Sequence, residues 1–183
     1  MKTKNSNRIL SVTIRRMIDD SPDTSWLGTY SNRPETEFAI DRAHSLDYQF
    51  FNPATIEPFN PKAAWIPTNE HDKRAYWRAA MRENARRDYE RMESLDAGNW
   101  GFIGIRADAE IGIPEDSTMP SSSMTIQCIT SGGLWGIESD SDAPYLESVE
   151  QEELGELKQQ LRALGFGTRA ISKAFQNVTR KNS

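Results

Sequence analysis

The chain has 183 residues, enough for one domain with or without a tail, and its five Trp, seven Phe and five Tyr exclude the aromatic-poor composition of a disordered chain. A single cysteine, Cys128, excludes an internal disulfide, and no stretch approaches the roughly 20 apolar residues of a membrane span. The net charge of -5 conceals a segregation: residues 107–156 hold twelve acids and no Lys or Arg, and nothing acidic precedes Asp19 or follows Glu156.

In chain order, the first pattern is an alternation over residues 9–18. Leu10, Val12, Ile14 and Ile18 share one side and Ser11, Thr13 and Arg15 the other, which predicts a half-buried strand. A turn follows at residues 19–23, where Pro22 fixes φ and Asp side chains bond their own backbone. Residues 26–30 suit a short strand. Residues 31–68 are broken by Pro53, Pro58, Pro61 and Pro67; Phe38, Ile40, Tyr48, Phe50 and Phe51 are the apolar anchors, with short strands expected near 38–42 and 48–51.

The clearest helix comes next. Asn69 suits its N-cap, and Trp77, Met81, Ala85, Tyr89, Met92 and Leu95 recur at spacings of three and four to form one apolar stripe. Gly98 suits its C-terminal end. Residues 103–113 then alternate, with Ile103, Ile105, Ala107, Ala109, Ile111 and Ile113 on one face and Arg106, Asp108 and Glu110 on the other. A loop over 114–123 separates this strand from another at 124–129, where Met124, Ile126 and Cys128 alternate with Thr125 and Gln127 and are expected to face a core. Ser131, Gly132 and Gly133 kink the chain before a strand at 134–137. Asp140 to Pro144 reads as a helix start, and Leu146, Val149, Leu154, Leu157, Leu161 and Leu164 give that helix its apolar face, ended by Gly165. Ile171, Phe175 and Val178 allow a last, basic amphipathic helix.

These elements predict an α+β fold: a small antiparallel sheet of three to five strands packed against two main helices. They predict a single domain over 1–166 and a basic C-terminal helix or flexible tail over 167–183.

Candidate chemistry is sparse. Cys128 with His44 or His71 is the only thiol–imidazole combination, and Cys128 on the apolar side of a strand reads as a small core residue rather than a nucleophile. Glu138, Asp140 and Asp142 alternate as oxygen donors for a divalent cation could, without the spacing of the twelve-residue calcium loop; helix capping explains them more simply. The glycines at 132 and 133 lack the Lys and the downstream helix of a phosphate loop, so no cofactor is expected. Trp135, between Leu134 and Gly136, suits either core packing or a binding anchor. The bases Arg169, Lys173, Arg180 and Lys181 could meet nucleic-acid phosphates.

Four phrases carry a resemblance: DTSWLGTY at 23–30, DYERM at 88–92, WGFIGIRA at 100–107 and TSGGLWGIESDSD at 130–142. The chain resembles, over most of its length to about Phe166, a family of uncharacterised proteins encoded by tailed phages, prophages and plasmids. The resemblance implies a mobile-element accessory protein in the cytoplasm of a bacterial host; the family brings no catalytic residues with it. The expectation is a non-enzymatic interaction protein that inhibits a host defence system, of anti-CRISPR or anti-restriction type. Its acidic surface would imitate nucleic-acid phosphates toward a basic groove. The residues expected to meet the host partner are Asp108, Glu110, Glu138, Asp140, Asp142, Glu150, Glu153, Glu156 and Trp135. The rival expectations are nucleic-acid binding through the basic termini and a small divalent-metal-dependent enzyme using Asp140 and Asp142.

Overall fold

A computed structural model describes residues 7–42, 47–54, 69–116 and 123–182. In chain order the elements are β1 (Arg8–Ile18), β2 (Gly28–Ser31), β3 (Ile40–Asp41), β4 (Phe50–Pro53), α1 (Glu70–Asp96), β5 (Phe102–Pro114), β6 (Met124–Thr130), β7 (Leu134–Glu138), α2 (Ala143–Ala163), α3 (Thr168–Ala174) and β8 (Thr179–Asn182). The fold is α+β. It divides into two compact units, one made of Met1–Pro22 with Gly101–Ser183 and the other of Asp23–Trp100. The second unit is an insertion between two paired strands of the first, and hydrophobic periodicity reports which residues are buried, not which core they join.

The first unit is built on β5. One edge of β5 pairs antiparallel with β1, placing Val12 opposite Ala109 and Ile14 opposite Ala107, with a bulge at Leu10. Its other edge pairs with β6 and then β7, both antiparallel. On the far side of β1 lies β8, parallel to it, so the sheet is mixed rather than purely antiparallel. The period of two puts Val12, Ile14, Ile105, Ala107, Ala109 and Ile111 on one face, all buried. α2 covers that face with Leu146, Val149, Leu154, Leu157 and Leu161, and α3 adds Ile171. Ala107 and Ala109 are the small residues under the helix, a volume match that close packing requires. α2 starts where the sequence predicts: the Asp142 carboxylate accepts from the Tyr145 N–H at 2.9 Å, and Pro144 sits in the first turn.

The segment expected as a helix or flexible tail over 167–183 is part of this unit. α3 and a short 3-10 turn at Phe175–Asn177 lead into β8, and Lys158 lies over the Phe175 ring, 4.9 Å from its centroid. A four-residue strand of sequence TRKN carries no alternation from which it could be read.

In the second unit β2, β4 and β3 form a three-stranded sheet in that order. Phe51 on β4 is fully buried between the rings of Tyr30 and Tyr89, at centroid distances of 5.7 and 5.5 Å. α1 begins at Asn69, whose side chain accepts from the Asp72 N–H at 2.8 Å. Of the apolar stripe, Ala85 and Met92 are buried and Trp77, Met81, Tyr89 and Leu95 half-buried. The exposed side carries ion pairs of Glu83 with Arg86 and Arg87 and of Arg86 with Glu90.

Candidate interaction surface

The twelve acids of residues 107–156 do not share one fate. Asp108 projects from β5 on the face turned away from α2, as the alternation predicts, yet it is only 5% exposed. Arg15 Nε donates to it across the β1–β5 ladder at 2.5 Å and Arg106 Nε from two residues away at 2.8 Å. Glu150 and Glu153 fall on the packing side of α2, among Leu146, Val149, Leu154 and Leu157. Glu150 has no exposed surface; Arg16 of β1 and Arg180 of β8 close on its two oxygens at 2.7 and 2.9 Å. Burial pushes the Glu150 carboxyl up, and the hydrogen bonds and charges of Arg180 and Arg16 outweigh that, leaving it below the ordinary carboxylate range. Glu153 is buried and accepts the Gly133 N–H at 3.0 Å.

Asp108, Glu150 and Glu153 are therefore not surface acids, which corrects the sequence reading of them as partner-binding. The reason is long-range. Arg15, Arg16 and Arg180 come from β1 and β8, 93, 134 and 30 residues away, and the glycine amide from the loop before β7. Glu110 is exposed and accepts from the Ser11 hydroxyl at 2.9 Å. Glu138 is half-buried at the end of β7, Asp140 is exposed in the turn after it, and Asp142 caps α2. Glu156 is exposed, its carboxylate held by the Gly132 N–H at 3.1 Å and Gln160 Nε2 at 3.0 Å. Glu147 and Glu152 lie exposed on the solvent side of α2.

The glycine pair at 132 and 133 thus has an occupant. Its two amides point at carboxylates of α2, and Ser131 bonds Ala107 through both its backbone and its hydroxyl, each at 2.9 Å. This is an anion nest filled from within the chain. Gly133 takes a φ of +80°, a left-handed conformation that a side chain would strain. Trp135 follows on β7 and lies flat on the backbone of β5 at Gly104, where an added methyl would overlap the indole; it stays 46% exposed.

β6 differs from expectation in direction. Met124, Ile126, Cys128 and Thr130 pair with Pro114, Gly112, Glu110 and Asp108, on the face away from α2. Cys128 is exposed, not a core residue. Partial burial and the charges of Asp108 and Glu110 push its thiol up despite Arg106 and Arg15, which disfavours the nucleophilic thiolate. His71 is exposed on α1, and His44 lies outside the described residues. Among the described residues no group of three or more His, Cys, Asp or Glu side chains could hold a metal ion. The candidate nucleic-acid residues Arg169, Lys173, Arg180 and Lys181 are all exposed, and Arg180 is paired with Glu150. No helix among the described residues is long and apolar enough to cross a membrane.

One cluster escaped the sequence reading. In the second unit the Tyr30 hydroxyl donates to Asp96 at 2.8 Å, Arg42 stacks 4.0 Å over the Tyr30 ring, and Arg42 also bonds Glu93 at 2.9 Å. Burial and the two carboxylates hold the Tyr30 phenol far above its usual range. Tyr30, Arg42 and Asp96 border an open cavity of about 640 Å³ with Asp47 and Tyr48. Positions 93 and 96 are i,i+3 neighbours on α1, but nothing local ties them to 30 and 42, so only the fold unites the cluster.

Comparison with known proteins gives no match to a protein-family model, to a curated protein or to a solved structure.

Proposed function

We propose that the chain acts by binding another protein, through the solvent side of α2 and the turn that precedes it. The observation that carries this reading is the division of the acids. Asp108, Glu150 and Glu153 are buried in the first unit, while Asp140, Asp142, Glu147, Glu152 and Glu156 are exposed along a stretch without a single base. The hydrogen bonds from Gly132 and Gln160 to Glu156, and the cap at Asp142, hold two of those carboxylates in fixed positions. Exposed carboxylates, two of them held in place, attract a basic groove and speed its encounter. In the mobile-element setting that the sequence resemblance implies, the target is a nucleic-acid-binding defence complex of the host, and occupying its groove would inhibit it.

The test is binding to such a complex across a salt series. Affinity should fall as salt rises, and reversing two charges with Glu147→Lys and Glu152→Lys should weaken binding at least about tenfold. Absent or salt-independent binding would remove the reading. The nucleic-acid alternative rests on Arg169, Lys173 and Lys181, exposed in a C-terminal stretch with no acid after Glu156.

A further inference from the structure

The two outer strands of the first unit's sheet are protected differently. β8 ends one edge with Arg180 and Lys181, charged side chains of the kind that keep an edge from recruiting another strand. β6 ends the other with Met-Thr-Ile-Gln-Cys-Ile-Thr, seven residues without a charge, a proline or a glycine, and rich in β-branched side chains. Thr125, Ile126, Gln127, Cys128 and Thr130 are exposed, with Ile126 at 63%. Among the described residues β6 pairs only with β5, so its second row of N–H and C=O groups has no strand beside it. Such an edge is a template for one more strand.

We propose that the occupant is β6 of a second copy of the chain, running antiparallel, so that the two sheets join across a twofold axis at Gln127. The sequence is self-complementary about that residue. Ile126 falls opposite Cys128 of the other copy, Thr125 opposite Ile129, Met124 opposite Thr130, and Gln127 opposite itself. No pair sets like charges against each other, which is the usual penalty of an isologous strand pair in a chain with net charge -5. The seam also continues an apolar strip on the face away from α2, because Leu10 and Met124 both lie over Gly112 beside Ile126. A foreign extended peptide could use the same hydrogen bonds, but a charged one would gain nothing from an edge with no charge to match.

The test uses the full chain in sedimentation equilibrium from about 1 to about 200 μM, the span over which an interface smaller than standard size associates. The mass should rise from 20.8 kDa toward twice that value. Ile126→Lys, on an exposed position, should hold the monomer mass with an unchanged circular dichroism spectrum. In a Cys128→Ser background, Gln127→Cys should form a disulfide-linked dimer on mild oxidation, because the paired Cα atoms would lie about 4.5–5.5 Å apart; Thr179→Cys on β8 should not. A wild-type chain that stays at 20.8 kDa throughout overturns the proposal. So does a dimer that survives Ile126→Lys and leaves Gln127→Cys uncrosslinked.

Discussion

Glu150 is where a single residue matters most. It is a carboxylate without exposed surface held by two arginines from two different strands, and removing its charge weakens both contacts. Glu150→Gln should destabilise the first unit by about 1–3 kcal/mol, read from urea unfolding, because it removes the charge from two charge-assisted hydrogen bonds while the arginines keep access to solvent. The pH dependence follows from the direction of its shift. A carboxyl whose folded value lies below its unfolded one contributes stability above the unfolded value, about 4.3, and loses it as pH falls through the folded value. Glu150→Gln should therefore flatten the acid side of the stability profile. Gly104 gives a second prediction. Gly104→Ala should cost about 1–3 kcal/mol by overlap with the Trp135 indole, and markedly less in a Trp135→Ala background.

At the scale of elements, β8 depends on three weak attachments: four paired residues on β1, the 3-10 turn before it, and Arg180. Ending the chain after Val178 should leave Glu150 with Arg16 alone and unprotect the β1 amides facing β8, measurable by hydrogen exchange and a lower melting temperature. Ending it after Phe166 also removes Ile171 from the core, so the loss of nucleic-acid binding in that variant would report folding before it reported contact. The same scale shows what patterning conveys. β1, β5, α1 and α2 lie within a few residues of their sequence-read bounds because each has an apolar face and a cap or turn at its ends. β8 was invisible because a short strand guarded by charges has no apolar face. β6 was legible as a strand but not in its orientation: alternation of apolar and polar residues marks two faces without saying which meets α2. The surface acids were legible as a stretch, yet Asp108, Glu150 and Glu153 could be sorted from Glu147 and Glu152 only once distant arginines and glycine amides had found them.

For the whole molecule, the insertion of Asp23–Trp100 between β1 and β5 is the organising fact. The chain leaves and returns at adjacent points: Ile18 is the register partner of Ile103, and the Asp19 N–H donates to the Phe102 carbonyl at 2.9 Å. Replacing residues 23–100 by a Gly/Ser connection of about four residues, an ordinary hairpin length, should leave a folded first unit. Retained circular dichroism and dispersed amide resonances would support this; an unfolded product would show that the first unit cannot stand without the insertion.

The pairing of β1 with β5 also sets an order in time. During synthesis β1 emerges early and must wait for the ribosome to finish the whole insertion before its partner appears, whereas the inserted unit is contiguous and needs no later residue to complete its sheet. Closure of the first unit comes later still, since β8 and Arg180 follow every other described element in chain order. Until Arg180 has been synthesised, Glu150 can meet only one of its two arginines, so a nascent chain stalled before that residue carries a buried carboxylate with half of its ion-pair partners.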